Sequence, residues 1–415
     1  MLNKNNTREL AYVVIINDIL PIEGADKVEQ AVVGGWHVMT RKGQFKPGDP
    51  AIYFEIDSKV PETKPFEFLA PKHYKIKTQK YFKGTVISQG LLMSAEDFGW
   101  QSFIKTSSDE NGLTKFSYPG ILDDKNNVHY ANDESRFLTE KLNIKYALDE
   151  DNIRKAKDID KYKKMAQRNG KLFSYQPFRW LMKRKWGKEL LFIFFGNKKD
   201  KKSWPDWVQK TDEERIQNMP WILKDKTPWI ATEKIDGTSA TFTIKRKKGF
   251  KKSDFYVCSR NVVFDKPDKN CYYDTNVYIE IAEKYNIKNI LTNLLILFPE
   301  AKYITIQGEI YGEGIQKRNY SIKTHDFMAF NLIMSHTGRW NTEDMKNLLN
   351  RYSIPTVPII NNNFILPDTV DELLKYATGK SVIDNQMREG IVFRSKDGSK
   401  SFKAVSNEFL MKYHC

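Results

Sequence analysis

Between residues 10 and 92 the apolar positions fall into short runs, 12–16, 31–38, 50–56 and 83–92. Turns bearing Gly, Pro and Asp, such as Lys46-Pro47-Gly48-Asp49, separate them. Short β-rich runs at this spacing predict a small all-β barrel. The pattern changes past Trp204. Alternation over 238–244 and 303–310 predicts strands, whereas Thr342 followed by Glu343, Met345, Leu348 and Leu349 has the spacing of a capped helix. Residues 368–377, closed by Gly379, predict a second helix. Between these regions, from Asn152 to Lys210, Lys and Arg crowd a stretch poor in acids, with a helical pattern at 158–168 and a short apolar anchor at 190–195. Such a run reads as a connector. The expectation is an α+β chain in three parts: a barrel over 1–140, a basic connector over 141–203 and a mixed domain over 204–415.

Composition narrows the partners. The 415 residues are enough for two or three domains. A formal net charge of +15, largely from lysine, points to a polyanion such as nucleic acid or a phosphate-bearing substrate. Near the end of the barrel, Lys72, Lys75, Lys77, Lys80 and Lys83 interleave with Tyr74, Tyr81 and Phe82. That mixture suits a nucleic-acid face, with a core role for Tyr81 and Phe82 as the alternative. The longest apolar runs, 10–16 and 190–195, are far short of the roughly 20 residues of a membrane helix. Residues 1–9 are polar and charged, so no secretory signal is expected. Cys258, Cys271 and Cys415 have neither paired nor metal-like spacing, which suggests a reducing compartment. We expect a soluble intracellular protein, cytoplasmic or nuclear, without a membrane.

The chemistry centres on residues 231–239, Ala-Thr-Glu-Lys-Ile-Asp-Gly-Thr-Ser, where Lys234, Asp236 and Gly237 can place a nucleophilic lysine beside a tight turn. No Walker-type loop or dinucleotide fingerprint is present. The six histidines are scattered, and His325 reads as structural. Downstream of Lys234 stand Ser259-Arg260-Asn261, Gln307-Gly308-Glu309-Ile310-Tyr311-Gly312, Ala329-Phe330-Asn331-Leu332, Arg388-Glu389-Gly390-Ile391-Val392-Phe393 and Ser401-Phe402-Lys403-Ala404-Val405. With these five ordered motifs the sequence resembles the covalent nucleotidyltransferase superfamily of polynucleotide ligases and capping enzymes. Within it, Pro21-Ile22-Glu23-Gly24-Ala25-Asp26, Gly43-x-Phe45-x-Pro47-Gly48-Asp49, Ser203-Trp204-Pro205 and the run from Lys210 to Asn218 are similar to RNA ligases of the Deinococcus and Naegleria type. Residues 100–200 match that type poorly.

The resemblance implies an oligonucleotide-binding (OB) β-barrel followed by a nucleotidyltransferase domain of antiparallel sheets and flanking helices. It also implies an ATP-dependent RNA ligase that seals 5′-phosphate and 3′-hydroxyl ends at nicks in duplex RNA through lysyl-AMP, as a monomer. By motif position Lys234 is the nucleophile, Phe330 stacks on adenine, and Arg260 and Glu309 meet the ribose. Glu233 sits at the adenine edge, Lys403 neutralises the α-phosphate and Arg215 reaches the distal phosphates. Asp236 and Glu389 hold Mg2+ (or Mn2+), and Gly237 permits a tight turn. Two departures stand out: Asn331 occupies a position often Asp, and Ser401 and Val405 flank Lys403 where some relatives carry a second lysine, leaving Lys400 as a substitute. Competing readings are a DNA ligase or GTP-dependent capping enzyme, and a decayed nucleic-acid-binding protein. Physically, a lysine of pKa about 10.4 leaves about one molecule in a few thousand deprotonated at neutral pH. The site is therefore expected to lower the pKa of Lys234 through burial, a cation and basic neighbours.

Overall fold

The computed structural model describes residues 1–3, 5–99, 104–108, 114–120, 123–130, 136–147, 175–195, 204–247, 253–264 and 276–414. In the barrel, Ala11–Ile15, Pro50–Phe54 and Leu91–Met93 form one antiparallel sheet, and Asp18–Pro21, Val28–Val33 and Trp36–Arg41 form another. Alternation along the first sheet divides its side chains between two cores. Val13, Ile52 and Phe54 pack with Phe66, Leu69 and Leu138, whereas Tyr12, Ala51 and Tyr53 pack with Trp36 and Val38. The run 31–38, expected as one strand, is a hairpin. Gly34 and Gly35 both lie in the left-handed region (φ 54° and 79°), which lets two residues reverse the chain.

Residues 136–147 return to the barrel, beyond the expected boundary at 140. Leu138 donates its N–H to the Ala11 carbonyl (2.8 Å), and Lys145–Tyr146 pairs with Ser58–Lys59. Of the connector, the helix expected over 158–168 lies outside the described residues. The apolar anchor is part of a helix, Lys185–Phe195, whose buried Leu191 packs against Phe178, Leu181 and Met182 around the preceding helix Gln176–Met182.

The domain from residue 204 onward is built on two antiparallel sheets. One orders Ile359–Phe364, Trp229–Lys234, Gly390–Ser395 and Ser401–Val405; the other orders Val263–Phe264, Asp254–Cys258, Thr238–Lys245, Tyr303–Gly312, His325–Met334 and Gly338–Arg339. Helices Val277–Lys284, Ile287–Leu297 and Thr342–Asn350 cover the larger sheet, burying Phe242, Leu291, Ile306, Phe327 and Leu349. The smaller sheet packs Trp229, Phe393 and Phe402 against helix Val370–Ala377. Both expected helices form with small shifts. Asn341, not Thr342, caps the first by accepting the Asp344 N–H (2.8 Å), and Thr369 with Glu372 forms a capping box on the second. The chain crosses from the smaller sheet to the larger one between Lys234 and Thr238.

The barrel docks on the smaller sheet. Ile87 packs with Val405 and Leu410, and Gln89 donates through Nε2 to Asn407 (3.1 Å). At Gly35 a Cβ would meet Val370 at 2.5 Å, so only the bare backbone of the hairpin turn fits against that helix.

Candidate active site

Lys234 is the last residue of its strand and pairs in register with Gly390, which brings the preceding residue, Glu389, alongside. The Lys234 ammonium donates to Glu389 Oε2 at 2.7 Å. Next, the Asp236 N–H donates to the Tyr320 hydroxyl (2.6 Å) as the chain turns toward the second sheet. Gly237 was expected for a tight turn, but it is absent from the residues with positive φ. Its requirement is space: a Cβ there would lie 2.2 Å from the Ile310 carbonyl oxygen and 2.8 Å from the Glu309 side chain. The following strand sets Ser239 opposite Glu309.

A cavity of about 330 Å³ opens at this crossing, and Glu233, Lys234, Gly237, Arg260, Glu309, Phe330 and Lys403 all line it. Residues far apart in sequence thus face one volume because the two sheets meet at Lys234. Three other expected residues do not line it. Glu389 stands behind Lys234, and Asp236 is buried at 4% exposure. Arg215 sits at the domain junction, its guanidinium 5.7 Å from the centre of the Trp36 ring of the barrel. Its backbone runs parallel to Lys403, whose N–H donates to the Glu214 carbonyl (2.7 Å). Lys400 pairs with Asp225 (3.0 Å) and does not line the cavity, so it does not replace the missing second lysine there.

Among the protein's own groups the balance at Lys234 runs opposite to the expected lowering. Burial works to lower its pKa, but Glu389, Glu309 and Asp236, together with the hydrogen bond to Glu389, outweigh it and hold the pKa above the ordinary lysine value. Burial, reinforced by Lys234 and Arg215, pushes Lys403 down to about 8. Glu309 is pushed up to about 8, first by burial and then by Glu389 and Asp236, against the opposing pull of Lys234. Burial also raises Glu233, one oxygen of which accepts the Val382 N–H (2.8 Å). Among the described residues no group of three or more His, Cys, Asp or Glu is arranged to hold a metal by itself. Mg2+ needs only one or two carboxylates and keeps its waters. Glu389 and Asp236, two of the carboxylates that act on Lys234, would be enough to hold such a hydrated ion.

Sequence reading missed Arg394 and Glu213, which also line the cavity. Arg394 donates to the Phe330 carbonyl, lies 5.9 Å from that ring's centre and pairs with Glu213 at 3.3 Å. The available signal was an arginine continuing the otherwise apolar strand that follows Glu389. Asn331 faces away from the cavity: its Nδ2 donates to Gln307 Oε1 (2.8 Å), whose own Nε2 donates to the Gln209 carbonyl (2.7 Å). The amide at this position therefore ties strands together beneath Phe330. His325 is structural, holding Glu280 (3.0 Å) through Nδ1. Of the basic and aromatic stretch on the barrel, Tyr74 packs on the core, Tyr81 is half-buried and Phe82 is 40% exposed.

Residues 227–414 match the RNA ligase family model, and residues 10–95 match an OB-fold domain model. The carboxy-terminal domain belongs to the RNA ligase family. Solved structures similar to the whole chain include a Naegleria gruberi RNA ligase with pyrophosphate, at 24% identity over 98% of this chain and 99% of that one, with a TM-score of 0.60. A variant of that ligase with ATP and manganese is 25% identical over the same shares, with a TM-score of 0.61. Another, with AMP and manganese, is 24% identical over the same shares, with a TM-score of 0.61. The likeness runs over nearly the whole chain and so takes in both of its domains. Curated protein sequences give no significant match to the chain. No helix among the described residues is long and apolar enough to cross a membrane.

Proposed function

We propose that this chain is an ATP-dependent RNA ligase that joins a 5′-phosphate to a 3′-hydroxyl at nicks in duplex RNA, acting as a monomer through lysyl-AMP. The observation that carries this reading is the convergence of Lys234, Arg260, Glu309, Phe330 and Lys403 on one cavity at the meeting of two sheets. Lys234 Nζ, once deprotonated, attacks the α-phosphorus of ATP; the N–P bond forms as the bond to the pyrophosphate oxygen breaks. A terminal phosphate oxygen of the RNA then attacks the lysyl-AMP phosphorus, freeing Lys234 and leaving AMP on the RNA end. Finally the 3′-hydroxyl attacks the RNA phosphorus, forming the phosphodiester and releasing AMP.

Phosphoryl transfer depends mainly on positioning and charge neutralisation. Phe330, held by Arg394, offers a face to the adenine, and Arg260 and Glu309 offer polar contacts to the ribose. Lys403, cationic below about pH 8, meets charge developing on the α-phosphate. Glu389 accepts a hydrogen bond from the Lys234 ammonium at 2.7 Å, within reach of the proton that must leave before attack. A divalent cation held by Glu389 and Asp236 through water would supply positive charge to the phosphates and offset the carboxylates that keep Lys234 protonated.

Incubation with ATP labelled at the α-phosphate and magnesium, for wild type and Lys234→Ala, tests this reading. A covalent AMP adduct is expected on the wild type and none on the variant. A chase with nicked duplexes should discharge the label when the 3′-hydroxyl strand is RNA. An adduct on Lys234→Ala, or equal discharge into an all-DNA nick, would overturn the assignment.

A further inference from the structure

A second cavity, of about 730 Å³, lies where the barrel meets the RNA ligase domain and shares no lining residue with the first. Trp36 and Phe137 line it from the barrel, and Gln217, Trp221 and Lys224 line it from the other domain. Gln217 is 2% exposed, yet among the described residues neither its amide nitrogen nor its amide oxygen has a hydrogen-bond partner. The indole N–H of Trp36, 1% exposed, also lacks one among the described residues. Buried amides are ordinarily satisfied, so a donor and an acceptor left unpartnered on a residue of the cavity wall mark a place where a ligand, met by a turn of the Gln217 side chain into the cavity, completes the bonding. Nearby, Trp221 leaves 46% of its surface exposed, and Lys224 stands exposed at the rim.

A side-chain amide matches the paired donor and acceptor on a nucleobase edge, an exposed indole matches its face, and an ammonium matches the phosphate attached to it. The volume admits a whole nucleotide. We propose that this cavity receives an unpaired nucleobase of the RNA substrate, turned out of its strand, with its edge on Gln217, its face on Trp221 and its phosphate toward Lys224. The proposal rests on the RNA-joining reading above and adds a second point of attachment to it. The two sites are linked through the backbone. Glu214, whose carbonyl accepts the Lys403 N–H, begins the segment that delivers Gln217 three residues later. A base seated here would fix the register of the RNA relative to Lys234.

The test uses the full chain and a nicked RNA duplex already adenylated at its 5′-phosphate, with a single abasic ribose moved through the nucleotides flanking the nick. One abasic position should slow wild-type sealing by about ten-fold, the scale of one lost base–aromatic stack. Trp221→Ala should seal the intact substrate about ten-fold more slowly, mainly through KM, and show no further loss at that abasic position. Gln217→Leu, close in volume, should behave in the same way. Since Trp221 is largely exposed, its variant should keep the wild-type circular dichroism spectrum and melting temperature. Absence of any sensitive position, or losses that multiply in Trp221→Ala, would overturn the proposal. So would inhibition of wild type but not Trp221→Ala by free adenosine without a sensitive position, because the occupant would then be a free nucleoside. Lysyl-AMP formation is followed separately. Its failure in wild type would sink the ligase reading, whereas normal adenylation without abasic sensitivity would sink only the second site.

Discussion

At the scale of single residues the site is organised around two lysines held in opposite conditions. Glu389, Glu309 and Asp236 keep Lys234 protonated, while Lys403, with cations for neighbours, gives up its proton near pH 8. The proposed adenylation needs the reverse at Lys234, which must be neutral to attack, and needs Lys403 charged. As pH rises, Lys234 gains reactivity while Lys403 loses charge through about 8, so the rate of adenylate formation should climb up to about pH 8 and then level off, the two changes cancelling. Lys403→Arg keeps its charge to far higher pH. Its profile should keep climbing past pH 8, at the cost of a lower rate at neutral pH; an unchanged levelling near pH 8 would remove Lys403 from this role. Lys234, Glu309, Phe330 and Lys403 were legible because each stands in a short motif. Arg394 and Glu213 were not, since an arginine closing an apolar strand hints at a partner but does not say which distant residue supplies it. Nor could the sequence give the sign of the Lys234 shift, which depends on how close three carboxylates come in space.

At the scale of elements, alternation proved most informative where a strand is long and buried. The strand expected over 238–244 extends from Thr238 to Lys245, and that expected over 303–310 from Tyr303 to Gly312. Short strands were harder. Residues 31–38 read as one apolar run because the Gly34-Gly35 turn interrupts it for only two positions, and no polar loop marks the reversal. Helix boundaries shifted because several residues near each start can cap. Asn341 takes that role ahead of Thr342, and Thr369 ahead of helix Val370–Ala377. This second helix packs on the sheet bearing Lys234 and also receives the barrel's hairpin turn. Loss of its capping box in Thr369→Ala should therefore cost about 1 kcal/mol in urea unfolding. A change below a few tenths would show that packing alone fixes this helix.

For the whole molecule, two domains could be read from composition and pattern, but their docking could not. The sequence suggests a barrel tethered by a basic connector; the structure packs the barrel against strand Ser401–Val405, which carries Lys403. Removing residues 1–147 would expose Val405 and Leu410 and take away the ring beside Arg215. The shortened protein should melt at a lower temperature and lose more in sealing a pre-adenylated nick than in forming lysyl-AMP. Sealing at the full-length rate would mean that the barrel contributes nothing to handling RNA.

The bond between Lys234 and Glu389 also bears on how the protein would meet foreign chemicals. Acylating reagents, isocyanates and aldehydes attack neutral amines, so without nucleotide or cation Lys234 itself would be a poor target. Lys403, nearer to losing its proton and facing the same cavity, would be tagged first. An inhibitor built around an amine-seeking warhead would therefore disable the resting protein through Lys403, leaving Lys234 unmodified.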